Sequence, residues 1–218
     1  MLDYIFRRFL SLFLTLLLST IIIFIALEII PGDPAEYMLG INAEEDTINA
    51  LREQLGLNRG KVERYFVWIT GMLKGDFGIS YTYSSPVNEM VIDRLKVSLP
   101  LALIALFIST IIALPVGIYA ASRYGKISDF SIMGFTQLGI ALPNFWFAIL
   151  LVFLFAITLR WFSAGGFAGW EQGFFLGIKS LLLPAISLAL PQASILSRVM
   201  RSSLLDTLNE DFIKTARS

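Results

Sequence analysis

The 218-residue chain has neither cysteine nor histidine. Without cysteine it can form no disulfide, no thiolate metal site and no thiol nucleophile. Without histidine it lacks the commonest general base and the commonest transition-metal ligand. Charge is scarce too: charged residues make up 16% of the chain, and 17 Lys and Arg balance 17 Asp and Glu. The net charge therefore points to no nucleic-acid partner and no acidic substrate. No G-x-x-x-x-G-K-[ST] loop occurs, so the sequence shows no P-loop for a nucleotide. The D-F-G within GDFGIS, residues 75–80, lacks every other part of a kinase signature. Nothing here predicts an enzyme, a cofactor or a metal.

What the chain has in abundance is apolar length. Hydrophobic residues reach 56% and the mean hydropathy is +0.72, gathered in blocks long enough to cross a bilayer, which takes about 20 helical residues. Arg7 and Arg8 precede an apolar run from Phe9 to Ile30. It is too long for a signal-peptide core and is followed by no small-residue cleavage site, so an uncleaved membrane helix is expected. Glu28 near its far end can reach headgroup water. Pro31-Gly32-Asp33-Pro34 ends that helix. A polar segment to about Val97 then reads as amphipathic helices over Glu44–Leu55, around Tyr65–Leu73, and around Val87–Leu95, a small helical cap on the membrane part.

Further spans are expected at Leu99–Ala121, with Pro115 and Gly117 inside; at Ile132–Leu159, interrupted at Leu142-Pro143-Asn144; and at Ser180–Ser197, with Pro184 and Pro191. The third is either one kinked helix or a helix broken at Pro143. Gln137, Asn144 and Gln192 are the polar residues at membrane depth, and they either bond neighbouring helices or line a solute path. The aromatic stretch Arg160–Ile178 suits a headgroup zone. If four helices alternate, Arg7, Arg8, Arg123, Lys126, Arg198, Arg201, Lys214 and Arg217 share one side, which the positive-inside rule makes the cytoplasm. Both Met1 and Ser218 are then cytoplasmic, and the cap faces out. The fold class is all-α: a multispanning helical membrane protein. Its expected parts are residues 1–30 (tail and first span), 31–98 (extracytoplasmic loop domain), 99–197 (spans two to four) and 198–218 (cytoplasmic region).

The last stretch, Arg201 to Ser218, is amphipathic, with Leu204, Leu205, Leu208, Phe212, Ile213 and Ala216 at helical spacing. Asn209-Glu210-Asp211 suits a helix start, with Lys214 and Arg217 toward the other end. Such a helix lies flat on the membrane face, either as a mere interfacial helix or as a surface offered to something outside the bilayer. Arg201-Ser202-Ser203 followed by Glu210-Asp211-Phe212-Ile213-Lys214-Thr215-Ala216-Arg217 resembles the cytoplasmic loop of ABC importer permeases of the dipeptide, oligopeptide and nickel branch. The motifs IPGDP, LGLN, GDFGIS and ALPNFWFAILL match the same family.

The resemblance implies a multi-pass permease subunit in a bacterial or archaeal inner membrane. It favours one irregular third helix, implies six spans of which four are visible, and implies a chain truncated in its coupling loop. It makes Glu210, Asp211, Phe212, Thr215, Ala216 and Arg217 the contact with an ATPase. Its implied partners are a second homologous permease, two ATPase subunits and an extracytoplasmic solute-binding protein. The implied solutes are short peptides, with nickel chelates, glutathione-like compounds or oligosaccharides as alternatives. A channel or secondary transporter with an interfacial C-terminal helix is the competing expectation.

Overall fold

A computed structural model describes residues 1–40, 42–210 and 213. The chain divides into two compact units, Met1–Arg94 and Leu95–Ser218.

The first unit opens with α1 (Leu2–Ile29), an apolar helix long enough to cross a bilayer, none of whose apolar window is buried. Asp33 caps the short helix α2 (Pro34–Leu39): its carboxylate accepts the Ala35 amide at 2.8 Å, and Pro34 supplies a preset φ at the first helical position. Arg52, from α3 (Glu45–Gln54), binds Asp33, Glu36 and Asn49, and so ties α3 to α2. Burial alone would raise the Asp33 carboxyl, but the Ala35 amide and the Arg52 guanidinium outweigh it and hold its pKa below the ordinary value. Helix α4 (Lys61–Leu73) meets α1 along one face: Tyr65 and Thr20 share a hydrogen bond of 2.9 Å, and Phe24 packs edge-on against Tyr65 with ring centroids 5.4 Å apart. Glu28 is matched by Lys61 at 3.5 Å and Arg64 at 3.3 Å, which gives the carboxylate near the end of the first span its counter-charges. Gly75 and Gly78, both at positive φ, turn the chain into a hairpin of two short strands, β1 (Ile79–Ser80) against β2 (Ser85–Pro86).

Val87–Leu95 and Leu99–Ala121 are not separate helices. They form one, α5 (Val87–Ser122), which runs through Pro100 and Pro115. The physical reason is visible at Pro100. A proline has no amide for the carbonyl four residues back, here Lys96, and the Trp170 indole N–H supplies it at 2.8 Å. Trp170 can lie there because Gly177 has no side chain: a Cβ on Gly177 would sit 2.7 Å from the indole.

In the second unit, α6 (Ile127–Ala141) and α7 (Asn144–Leu151) are bent by 95° at the intervening residues. A residue before proline avoids the helical region, and Leu142 (ψ 125°) and Pro143 (ψ 131°) are both extended. The third span is thus a helix pair broken at Pro143, not one irregular helix. A π-helical turn (Val152–Thr158) continues α7. Helix α8 (Phe174–Leu208) is continuous through Pro184 and Pro191, and extends well past the expected Ser180–Ser197 at both ends.

Small residues hold this unit together. Helix α5 buries Ala105, Ser109, Ala113, Gly117 and Ala120 at three- and four-residue spacing. Helix α8 buries Ala185, Ala189, Ala193, Ser194 and Ser197. Such faces let backbones approach closely where lipid offers no hydrophobic drive for helices to associate. A Cβ on Gly117 would meet the Ser197 carbonyl at 2.8 Å, and one on Gly139 would meet Ser194 Oγ at 2.2 Å. Helices α1, α5 and α8 are each long and apolar enough to cross a membrane, and the bent pair counts as a fourth if it is one span.

Candidate functional site

The second unit's polar chemistry sits where α6 and α8 run antiparallel. Asp129, in the first turn of α6, is 2% exposed and accepts two hydrogen bonds from Arg201, at 2.6 Å from Nε and 2.7 Å from Nη2. The Gly125 amide adds a third at 3.1 Å, and the Tyr124 ring lies 5.2 Å from the guanidinium carbon. A bidentate guanidinium–carboxylate pair fixes direction as well as distance. The clamp locks the end of α8 to the 123–126 turn.

One helical turn before Arg201, Arg198 behaves differently. Its Nη1 donates to Gln137 Oε1 at 2.7 Å, and no carboxylate pairs with it among the described residues. Beyond the break at Pro143, between α7 and α8, lies a cleft of about 270 Å³, lined by Asn144, Phe145, Ala148 and Val152 on one wall and Leu183, Pro184, Ser187 and Leu188 on the other.

The three residues expected at membrane depth therefore part company. Gln137 is engaged by Arg198, Asn144 lines the cleft, and Gln192 is exposed on α8 one turn from Leu188. All three side chains are exposed in this chain, and none bonds another of the three among the described residues. In the coupling stretch, Glu210 is exposed and its amide donates to the Thr207 carbonyl at 3.1 Å. Asn209 terminates α8. Asp211, Phe212, Thr215, Ala216 and Arg217 lie outside the described residues.

Sequence reading missed the Asp129–Arg201 clamp, having taken Arg201 only as an orientation charge. The signal was there: an acid and a base at adjoining ends of neighbouring spans must either reach water or find each other.

Comparison with known proteins decides the family. Residues 113–218 match the model described as binding-protein-dependent transport system inner membrane component, and residues 1–102 match the model for its N-terminal part. The oligopeptide transport system permease protein AppB of Bacillus subtilis is 36% identical over 219 residues, covering 99% of this chain and 69% of AppB. The chain belongs to this family. The glutathione transport system permease protein GsiC of Salmonella choleraesuis is 32% identical over 218 residues, 69% of its length. A candidate peptide transport permease of Brucella suis biovar 1 is 36% identical over 203 residues, 93% of this chain and 65% of its own length. The chain thus spans about two thirds of the curated relatives it matches. As a binding-protein-dependent inner membrane component, it belongs to a family of membrane permeases rather than enzymes, and its multispanning helical fold agrees with that membership.

Proposed function

We propose that this chain is a transmembrane permease subunit of an ABC importer for peptides or similar small solutes. It forms part of the translocation path and transmits to it the motion of partner ATPases. The observation that carries this reading is the continuity of α8. One helix runs from the Asn144 cleft to Leu208, is locked to α6 by Arg201 and Asp129, and leads directly into the Glu210–Arg217 stretch. A displacement at that stretch would therefore carry α8 and the clamped α6 together as one body, moving against α7 across the break at Pro143. The partners are a second homologous permease, two ATPase subunits that bind the ATP, and an extracytoplasmic solute-binding protein. Met1 and Ser218 are cytoplasmic, and residues 31–98 face out.

The test is uptake by proteoliposomes holding the full-length protein, its partner permease and the ATPases, with the binding protein on the outside. A labelled oligopeptide should accumulate only with ATP on the ATPase side. Accumulation driven by an ion gradient without ATP would replace this reading with a secondary transporter. Single cysteines test the orientation, since the chain has none. One at Asn58 should react with an impermeant thiol reagent in intact cells and one at Ser122 should not; the reverse pattern inverts the topology.

A further inference from the structure

We propose that Arg198, held by Gln137, is the recognition site for a carboxylate of the translocated solute. The inference rests on the permease reading above and deepens it. Gln137 lies two turns along α6 from Asp129, which is about 12 Å of rise. The Arg198 guanidinium is therefore drawn toward the bilayer centre, away from the clamp layer, whereas an arginine serving only as an interfacial anchor keeps its head in water. Charge inside a membrane is retained where it pairs or where it serves a solute. Arg201 takes the first course, with two N–H donors on Asp129. Arg198 has a neutral amide for its partner and only one donor engaged among the described residues, out of the five a guanidinium carries. The free donors form a fork matched to a carboxylate.

The location suits a path. Pro184, Ser187, Leu188 and Pro191 recur at three- and four-residue spacing, and Arg198 follows Pro191 by seven residues, about two turns, so all five share one face of α8. The first three of these line the Asn144 cleft. Pro191 has no amide to offer the Ser187 carbonyl, which leaves a backbone acceptor beside the cleft for a solute N–H. A peptide with its carboxylate on Arg198 would thus meet polar groups along a mostly apolar groove.

The test uses the full-length protein with its partner permease in phosphatidylcholine nanodiscs. Phenylglyoxal modification of Arg198 and Arg201 is followed by mass spectrometry. Tri-alanine should slow Arg198 modification at least fivefold, tri-alanine amide should not, and Arg201 should be unaffected by either. Gln137→Leu should abolish the protection, and Arg198→Gln should lower ATP-driven uptake of tri-alanine about tenfold, with Arg198→Lys intermediate. Absence of protection, or equal protection by acid and amide, overturns the proposal. Protection that instead follows addition of phosphatidylglycerol assigns the anion to lipid and also overturns it. Protection that persists where ATP-driven uptake fails would leave the carboxylate site standing and remove the permease reading.

Discussion

The two units are held together by different physics. Met1–Arg94 relies on charges and aromatic rings: Arg52 on Asp33 and Glu36, Lys61 and Arg64 on Glu28, Phe24 on Tyr65. Leu95–Ser218 relies on backbone approach over Gly117, Gly139, Gly177 and the small residues of α5 and α8, together with the Asp129–Arg201 ion pair. The first mode suits segments that touch water, where polar side chains can be exchanged for solvent at little net change. The second suits a bilayer, where an added methyl group has nowhere to go and an unpaired charge has no solvent.

Substitutions should therefore be far more costly in the second unit. The largest effect is expected at Asp129→Ala, which strands the Arg201 guanidinium and should destabilise the protein by about 3–5 kcal/mol. The paired change Asp129→Leu with Arg201→Met should recover most of that loss, as read by thermal unfolding in detergent. Next comes Gly139→Val, whose Cβ would overlap Ser194 Oγ and which should cost about 1–3 kcal/mol, partly rescued by Ser194→Gly. Trp170→Phe keeps the ring but removes the donor to the Lys96 carbonyl, for a loss of about 0.5–1.5 kcal/mol. In the first unit, Arg52→Met should cost about 1 kcal/mol or less. If Arg52→Met proved as damaging as Asp129→Ala, the contrast between the units would be broken.

The smallest effect sharpens the contrast through pH. The Asp33 pKa is lowered in the folded chain. Its contribution is thus fully present above the unfolded carboxylate value of about 3.9, and is lost as pH falls through the lowered folded value. Stability should decline over that acid range, and Asp33→Asn should flatten the decline.

The spans, the amphipathic pieces and the interruption at Leu142-Pro143-Asn144 were legible because apolar length and proline are local signals. Two things were not. Merging Val87–Leu95 with Leu99–Ala121 depends on Trp170, far along the chain, supplying the donor that Pro100 lacks. A proline reads as a breaker until its remote compensation is seen. The choice between a kinked and a broken third span was left open by the residues, and the resemblance favoured the wrong one. Two successive extended residues at Leu142 and Pro143 give the 95° bend. Of the candidate site residues, Gln137 was picked out by its polarity at depth, but its partner Arg198 was read only as an orientation charge. Which of two arginines one turn apart finds the acid is a tertiary fact.

The coupling of the stretch after α8 to an ATPase is the central claim, and co-purification tests it most directly. In the full-length protein, Phe212→Ala and Ala216→Trp should each sharply reduce the amount of ATPase subunit recovered with the permease. The yield of the permease in the membrane should stay unchanged. A purely interfacial helix would instead loosen from the lipid surface, and recovery of the ATPase with both variants at the wild-type level would contradict the account.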